Sequence, residues 1–368
     1  MKPTVAIVRG KFLNKYEMQF YEPLVKHYAI TAFGSLSTYH DRFAFPVVKL
    51  PSPMDLPDFP YKMPVLNRLF VDAHYLLGLE ERLKNFDLVH TAETYFYYTQ
   101  QCLNAKKKGY VKKVIATVLE NIPFNNEGIW GRKEFKKRAR EELDHIIALT
   151  NKTKDALIIE GTDPNKITVI SHFVDTKRFH PVKNSKNPKI ITILFVGRLE
   201  KYKGVYDIAE AAEMLLNDSD LHSFKLNFVL VGDGSEKKRL ADKPNLEIRT
   251  ATYKEMPEVY AKADIFIAPS KPTITWEEQY NTSLLEAQAS GLPIVTTKTG
   301  GIPENIGEAG VLVPPGDIQA IVNALKTYIL NPKLREAFAA KARKRAESVH
   351  DIKIGASILS ALYNELLS

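Results

Sequence analysis

The sequence predicts an α/β protein made of two Rossmann-like parallel-sheet domains. Three observations predict it. Runs such as Phe228-Val-Leu-Val231 and Ile265-Phe-Ile-Ala268 are apolar throughout, which suits strands covered on both faces. A polar or glycine-bearing turn and then a helical pattern follow such runs, as in βαβ units. A proline- and lysine-bearing stretch from Pro181 to Pro188 marks a linker near the middle of the 368 residues, a length that accommodates two domains. The predicted division is 1–185 and 186–351, with a last helix at about 352–368 crossing back onto the first domain.

Composition bounds the function. Hydrophobic residues make up 45% and charged residues 26%, ordinary for a soluble globular chain. A single cysteine, Cys102, excludes an intramolecular disulfide and fits a reducing compartment. No apolar run is long enough to span a bilayer, and the N-terminal residues read as a strand rather than a signal peptide, so a cytoplasmic location is expected. Net charge is +8, divided roughly as +10 over residues 1–190 and about −2 over the rest. The basic excess at Lys106 to Lys108, Lys112, Lys113 and Arg132 to Arg140 could meet an anionic substrate, an anionic lipid or nucleic acid. The acidic second half and the lack of a nucleic-acid-binding motif argue against the last.

In chain order, residues 4–8 form a buried-type strand ending at Arg9-Gly10, where glycine lets backbone approach a ligand. No Gly-x-Gly-x-x-Gly follows, which argues against a dinucleotide-binding dehydrogenase. Residues 17–28 read as helix and 28–33 as strand. Six prolines within 45–65 predict a loop and no sheet, and 66–84 has the periodicity of one helix. The strand 86–91 contains His90, and Glu93 stands just past it. The strand 114–118 runs into Leu119-Glu120-Asn121. Trp130 and the cations from Arg132 to Arg140 predict a basic amphipathic helix, a candidate for contact with an anionic membrane. The strand 145–150 precedes a helix to Glu160 capped by Asn151, and 167–170 is the last strand before Ser171-His172.

The second half opens with strand 190–196, the turn Gly197-Arg198-Leu-Glu-Lys-Tyr-Lys203-Gly204, and helix 205–217. A strand, a glycine turn and two cations outline a polyphosphate clamp, since arginine offers a fork and lysine a point charge. Gly232 ends the next strand, and Thr250 and Ala251 lie further on. After the strand 265–268 a polar loop carries Glu277 and Glu278, and a helix capped by Asn281, Thr282 or Ser283 carries Glu286 about one turn in. A phosphate binds naturally at such a helix start. Flanking carboxylates would repel it, so they are expected to grip hydroxyl groups, for which an ionised carboxylate is an acceptor. Phosphate between two hydroxyl-rich groups describes a nucleotide sugar.

Glu278, seven intervening residues and Glu286, followed by Ala-Gln-Ala-Ser-Gly-Leu-Pro-Ile-Val and Gly-Gly-Ile-Pro-Glu, closely resemble the signature of the family 4 retaining glycosyltransferases. Gln279, Tyr280 and Asn281 stand where that family usually has Gly-Phe-Gly, and Ser171-His172-Phe-Val-Asp175 with Arg178-Phe179 resembles its Asn-Gly-Val-Asp and Arg-Phe turn. The resemblance implies a GT-B fold, two Rossmann-like domains facing a central cleft, the first binding the acceptor and the second the donor. It implies that Arg198 and Lys203 hold the donor diphosphate and stabilise the leaving group. Gly197 and Gly232 shape that loop, and Thr250 and Ala251 flank the base. Asn281, Thr282 and Ser283 meet the phosphates, Glu278 meets the donor sugar, and Glu286 meets the ribose. On the acceptor side the candidates are Arg9, Gly10, His90, Glu93, Glu120 and His172, with Glu120 also a candidate catalytic group. The implied donor is a UDP-, GDP- or ADP-linked sugar, with no cofactor and no metal. The rival readings are a sugar-nucleotide epimerase of the same architecture and a basic nucleic-acid-binding protein.

Overall fold

The structure, a computed structural model, describes residues 1–182 and 187–368, so part of the predicted linker lies outside the described residues. The described chain forms two compact units, Met1–His172 with Lys353–Ser368, and Phe173–Ile352.

The first unit is built on a seven-stranded parallel sheet. Its strands are β1 (Thr4–Gly10), β2 (Ala29–Ser35), β3 (Val47–Leu50), β4 (Phe86–Ala92), β5 (Val111–Val118), β6 (His145–Ala148) and β7 (Ile167–Val169). They lie in the order β3-β2-β1-β4-β5-β6-β7. Val5 to Val8 of β1 and Leu88 and Val89 of β4 are fully buried, because helices cover both faces. The helix Ile352–Leu367 belongs to this unit and fastens to it through Tyr363, whose hydroxyl is 2.7 Å from His90 Nδ1.

The second unit carries six parallel strands, β8 (Ile190–Val196), β9 (Lys225–Val231), β10 (Glu247–Arg249), β11 (Ile265–Ala268), β12 (Ile294–Thr297) and β13 (Val311–Val313). Their order is β10-β9-β8-β11-β12-β13. Its core joins Ile193 and Phe195 of β8 to Ile265 and Ile267 of β11 and to Ile208 and Leu215 of the helix Val205–Leu216. In each sheet the order reverses beside the first strand, between β1 and β4 and between β8 and β11. Ligands of open parallel sheets bind beyond the carboxyl ends at such a reversal.

Four local readings are corrected. The proline-rich loop contains β3, an edge strand bounded by Pro46 and Pro51, a place where a missing N–H is tolerated. The helix expected at 66–84 is two, Lys62–Phe70 and Leu79–Arg82. Between them Val71 adopts φ 62°, and the buried Asp72 carboxylate accepts bonds from the His74 and Tyr97 N–H groups and from Arg132 Nη2 at 3.0 Å. Of the expected apolar stripe Leu66, Ala73 and Leu76 are buried, Leu69, Phe70 and Leu77 are exposed, and the buried ion pair interrupts it. Residues 17–28 form a four-residue α-turn, Lys15–Met18, continued by a 3₁₀ segment Gln19–Lys26 that contains Pro23. Thr150, not Asn151, caps the helix Asn151–Ile159, accepting from Thr153 N–H at 3.0 Å.

Asp72→Ala leaves the Arg132 guanidinium buried beside no counter-charge, which should cost about 3–5 kcal/mol of stability. The expected result is a lower urea midpoint at unchanged slope, and an unchanged midpoint would show that the pair is not structural.

Candidate functional site

In the second unit the site grows from close backbone approaches at the β8–β11 reversal. Gly204 has φ 73°, and a Cβ there would stand 2.0 Å from the Pro269 carbonyl oxygen. Gly300 has φ 52°, and a Cβ there would stand 1.8 Å from the Glu278 carbonyl oxygen. Side chains at these two positions would push apart the loops that follow β8, β11 and β12.

The approach brings Lys203 and Glu278 together. Lys203 Nζ lies 2.6 Å from Glu278 Oε2, which also accepts from the Ser270 hydroxyl at 2.8 Å and from Asn281 Nδ2 at 3.4 Å. Trp276 lies beneath the ammonium, 4.9 Å from Nζ to the ring centroid. The carboxylate and most of the lysine are shielded from water, so their attraction is stronger than at a surface. Arg198 is exposed, its guanidinium 5.3 Å from the Tyr202 ring. Gly197 N–H donates to Val231 and Gly232 N–H to Arg249, which aligns the ends of β8, β9 and β10. Thr250 and Ala251 follow β10 directly.

Glu286 sits in the helix Thr282–Ala289 and is buried. Its Oε2 accepts from the Tyr260 hydroxyl at 2.8 Å, whereas its Oε1 is buried with no hydrogen-bond partner. Burial pushes this carboxyl up to about 7, against the Tyr260 bond and the charge of Arg178. Arg178 stacks 3.8 Å over the Tyr253 ring and donates to the Tyr253 carbonyl. The sequence pattern flagged Arg178 only as part of a turn, and its nearness to Glu286 required the fold. Asn281 occupies the N-cap position at φ 60°, but its side chain makes no capping bond. Its Oδ1 instead accepts from the Ser283 hydroxyl at 2.6 Å, so none of the three expected residues caps the helix. A helix start without a side-chain cap keeps unpaired N–H groups and the positive end of its dipole.

The first unit gathers most of the remaining candidates at strand ends. Arg9 and His172 line one small cavity of about 10 Å³ with Tyr21 and Thr117, room for about one water. Arg9 Nη2 lies 3.9 Å from Glu17 Oε2. Burial pushes the His172 imidazole down to about 4, so it is neutral at physiological pH. Gly10 adopts φ 53° against the Tyr98 ring. Glu93 and Glu120 follow the adjacent strands β4 and β5. His90 is a correction. It lies within β4 and is enclosed, with Nε2 2.7 Å from the Thr117 hydroxyl and Nδ1 2.7 Å from that of Tyr363. Both ring nitrogens are occupied by the fold, leaving nothing to offer an acceptor.

The basic helix Arg132–Glu142 turns much of its charge inward. Lys136 pairs with Glu160 at 2.5 Å, Arg140 with the same carboxylate at 2.8 Å, and Arg132 with Asp72. Lys133, Lys137 and Trp130 remain exposed. Among the described residues no helix is long and apolar enough to cross a membrane.

Sequence patterns of known families match both halves of the chain. The family described as Glycosyl transferases group 1 matches residues 190–331, and Glycosyltransferase Family 4 matches residues 32–178. The chain belongs to the family 4 glycosyltransferases. Among curated family relatives it is 30% identical over 208 residues to the sulfoquinovosyl transferase SQD2 of Arabidopsis thaliana, covering 53% of this chain and 39% of that protein. It is 25% identical over 244 residues to the capsular polysaccharide biosynthesis glycosyltransferase CapM of Staphylococcus aureus, covering 60% and 62%. The chain therefore spans less than two thirds of the length of either. Among solved structures, HepE of Anabaena in complex with UDP superposes with TM-score 0.76 at 15% identity, covering 99% of this chain and 100% of that one. This likeness shows that the family 4 chain has the GT-B fold.

Proposed function

We propose that the protein is a retaining glycosyltransferase that moves a sugar from a nucleoside-diphosphate sugar to a hydroxyl group of an acceptor. One observation carries this reading: Lys203, Ser270 and Asn281 converge on one oxygen of Glu278, while Glu286, eight residues on, holds a buried oxygen with no partner. The first cluster is a rigid cation beside a carboxylate, suited to a diphosphate next to sugar hydroxyls. The second is an acceptor awaiting a hydroxyl, as a ribose supplies.

In this reading Gly197 and Gly232 let the diphosphate approach the backbone, and Thr250 and Ala251 border the base. Asn281, Thr282 and Ser283 present the uncapped helix start to the phosphates. Glu278 orients the donor sugar. Arg198 and Lys203 balance charge that grows on the diphosphate as its bond to the anomeric carbon breaks, taking the part a metal plays elsewhere. The acceptor oxygen bonds to that carbon from the leaving-group face, and its proton passes to the departing diphosphate. Arg9, Gly10, Glu93, Glu120 and His172 of the first unit supply the acceptor side. UDP-sugars are the first donors to test, because HepE is seen with UDP. GDP- and ADP-sugars complete the panel. The protein works on the cytoplasmic side, with Trp130, Lys133 and Lys137 as a peripheral contact to anionic lipid.

Lys203→Ala should lower turnover by roughly 100-fold to 1,000-fold, the scale of losing one group that stabilises transition-state charge. EDTA should leave the wild-type rate intact. Equal turnover of the variant, or loss of activity in EDTA, overturns the clamp. Glu286 accepts ribose hydroxyls best when ionised, and its carboxyl is raised to about 7. Nucleotide affinity should therefore fall as pH drops through about 7, and Glu286→Gln should bind more weakly and lose that dependence. Calorimetric titration with UDP across pH checks both, and a pH-flat wild type speaks against the ribose contact. Sedimentation with anionic vesicles should carry down the wild type more than Trp130→Ala, whereas equal sedimentation removes the membrane contact.

A further inference from the structure

The donor site leaves one buried group of the first unit unexplained. Glu93 stands just beyond β4, next to the β1–β4 reversal, at φ 58°. Residues with a Cβ rarely adopt that backbone, and such strain concentrates where function requires it. The side chain is buried. Oε1 accepts from the Leu119 N–H at 2.9 Å, while Oε2 is buried with no hydrogen-bond partner.

The surroundings explain why no cation answers it. Lys136 faces Glu93, but its Nζ is held by Glu160 at 2.5 Å and by the Asn125 carbonyl at 3.1 Å. Arg9 faces it too and is shared with Glu17, Tyr21 and Tyr98. Tyr95 and Tyr98 add phenols, and Glu120 adds a second carboxyl from the end of β5. Glu120 is supplied with donors, the Ile122 N–H at 3.0 Å and Asn125 Nδ2 at 2.7 Å. Two carboxyl groups therefore follow the ends of adjacent strands, Glu120 with backbone and side-chain donors and Glu93 with backbone donors that leave Oε2 bare.

We propose that Glu93 and Glu120 form an acid–carboxylate pair that binds the hydroxyl groups of a saccharide acceptor, Glu93 donating from a protonated Oε2 and Glu120 accepting. The assignment of that saccharide as acceptor rests on the glycosyl-transfer reading. The division of roles follows the local donors: burial raises both carboxyls, the N–H groups on Glu120 oppose that rise, and the bare oxygen of Glu93 keeps a proton. Burial first, and then the Glu120 charge, push the Glu93 carboxyl up to about 8. A carboxylic acid kept neutral this way donates a hydrogen bond, as a carboxylate cannot. The neutral form is the one the fold favours. The pair should therefore be lost as Glu93 ionises above about pH 8, and lost again at acid pH as Glu120, itself raised by burial, takes up a proton.

The experiment is carbon-13 NMR of the full chain with labelled glutamate, the Glu93 signal being assigned by its absence in Glu93→Gln. The probes are UDP and the methyl glycosides of glucose, galactose, mannose and N-acetylglucosamine. The Glu93 carboxyl carbon should titrate near pH 8, and at least one glycoside should shift the signal and raise its midpoint. Glu93→Gln, a neutral donor of the same shape, should bind that glycoside within about threefold of wild type with no alkaline loss, while Glu93→Ala should weaken it by about tenfold or more. Titration near the ordinary carboxylate range overturns the proposal. So does a Glu93 signal that no glycoside moves while UDP still binds. Glycoside binding at Glu93 without any UDP binding would sustain the pair and instead remove the donor reading.

Discussion

A parallel strand covered on both faces takes a polar side chain only where a partner meets it, as His90 meets Thr117, so most of the polar chemistry of this protein collects beyond the carboxyl ends of β8, β11, β4 and β5. The two sheets share one strand order up to their outer edges, and each opens at the same reversal. In the second unit that opening is narrowed until loops touch. Gly204 meets the Pro269 carbonyl and Gly300 meets the Glu278 carbonyl with no space for a Cβ. The Lys203–Glu278 pair joins the same loops.

Three of the buried carboxylates, Glu278, Glu286 and Glu93, differ in what meets them. Glu278 has a lysine, a serine hydroxyl and an asparagine amide. Glu286 has one phenol and a cation at longer range, and burial raises it. Glu93 has backbone donors, a competing carboxyl and no cation of its own, and it is raised further. For Glu286 and Glu93 burial outweighs the few groups that meet them, and each carboxyl is raised.

Much of this was legible in the chain. The apolar runs predicted the central strands within a residue or two, and the stretch that holds Glu278 and Glu286 has the expected strand, loop and helix. Some failures were local, as at Pro23 and at the Thr150 cap; in others a distant residue had intervened. β3 depends on pairing with β2, the break after Phe70 on Arg132 reaching Asp72, and the fate of His90 on a tyrosine near the chain end. Glu93 and Glu120 were visible separately, and nothing local indicated that adjacent strands would bring their side chains together.

The sequence by itself determined the class of fold and marked Lys203, Glu278 and Glu286 as candidates, because strand hydrophobicity, glycine turns and helix starts are written in neighbours. Tertiary structure alone decided the protonation and partners of those residues. Lys203 and Glu278 are 75 positions apart, and Tyr260 and Glu286 are 26 apart. Electrostatics inside a protein depends on distance through space and on the exclusion of water, and neither is fixed until the sheets have formed and packed.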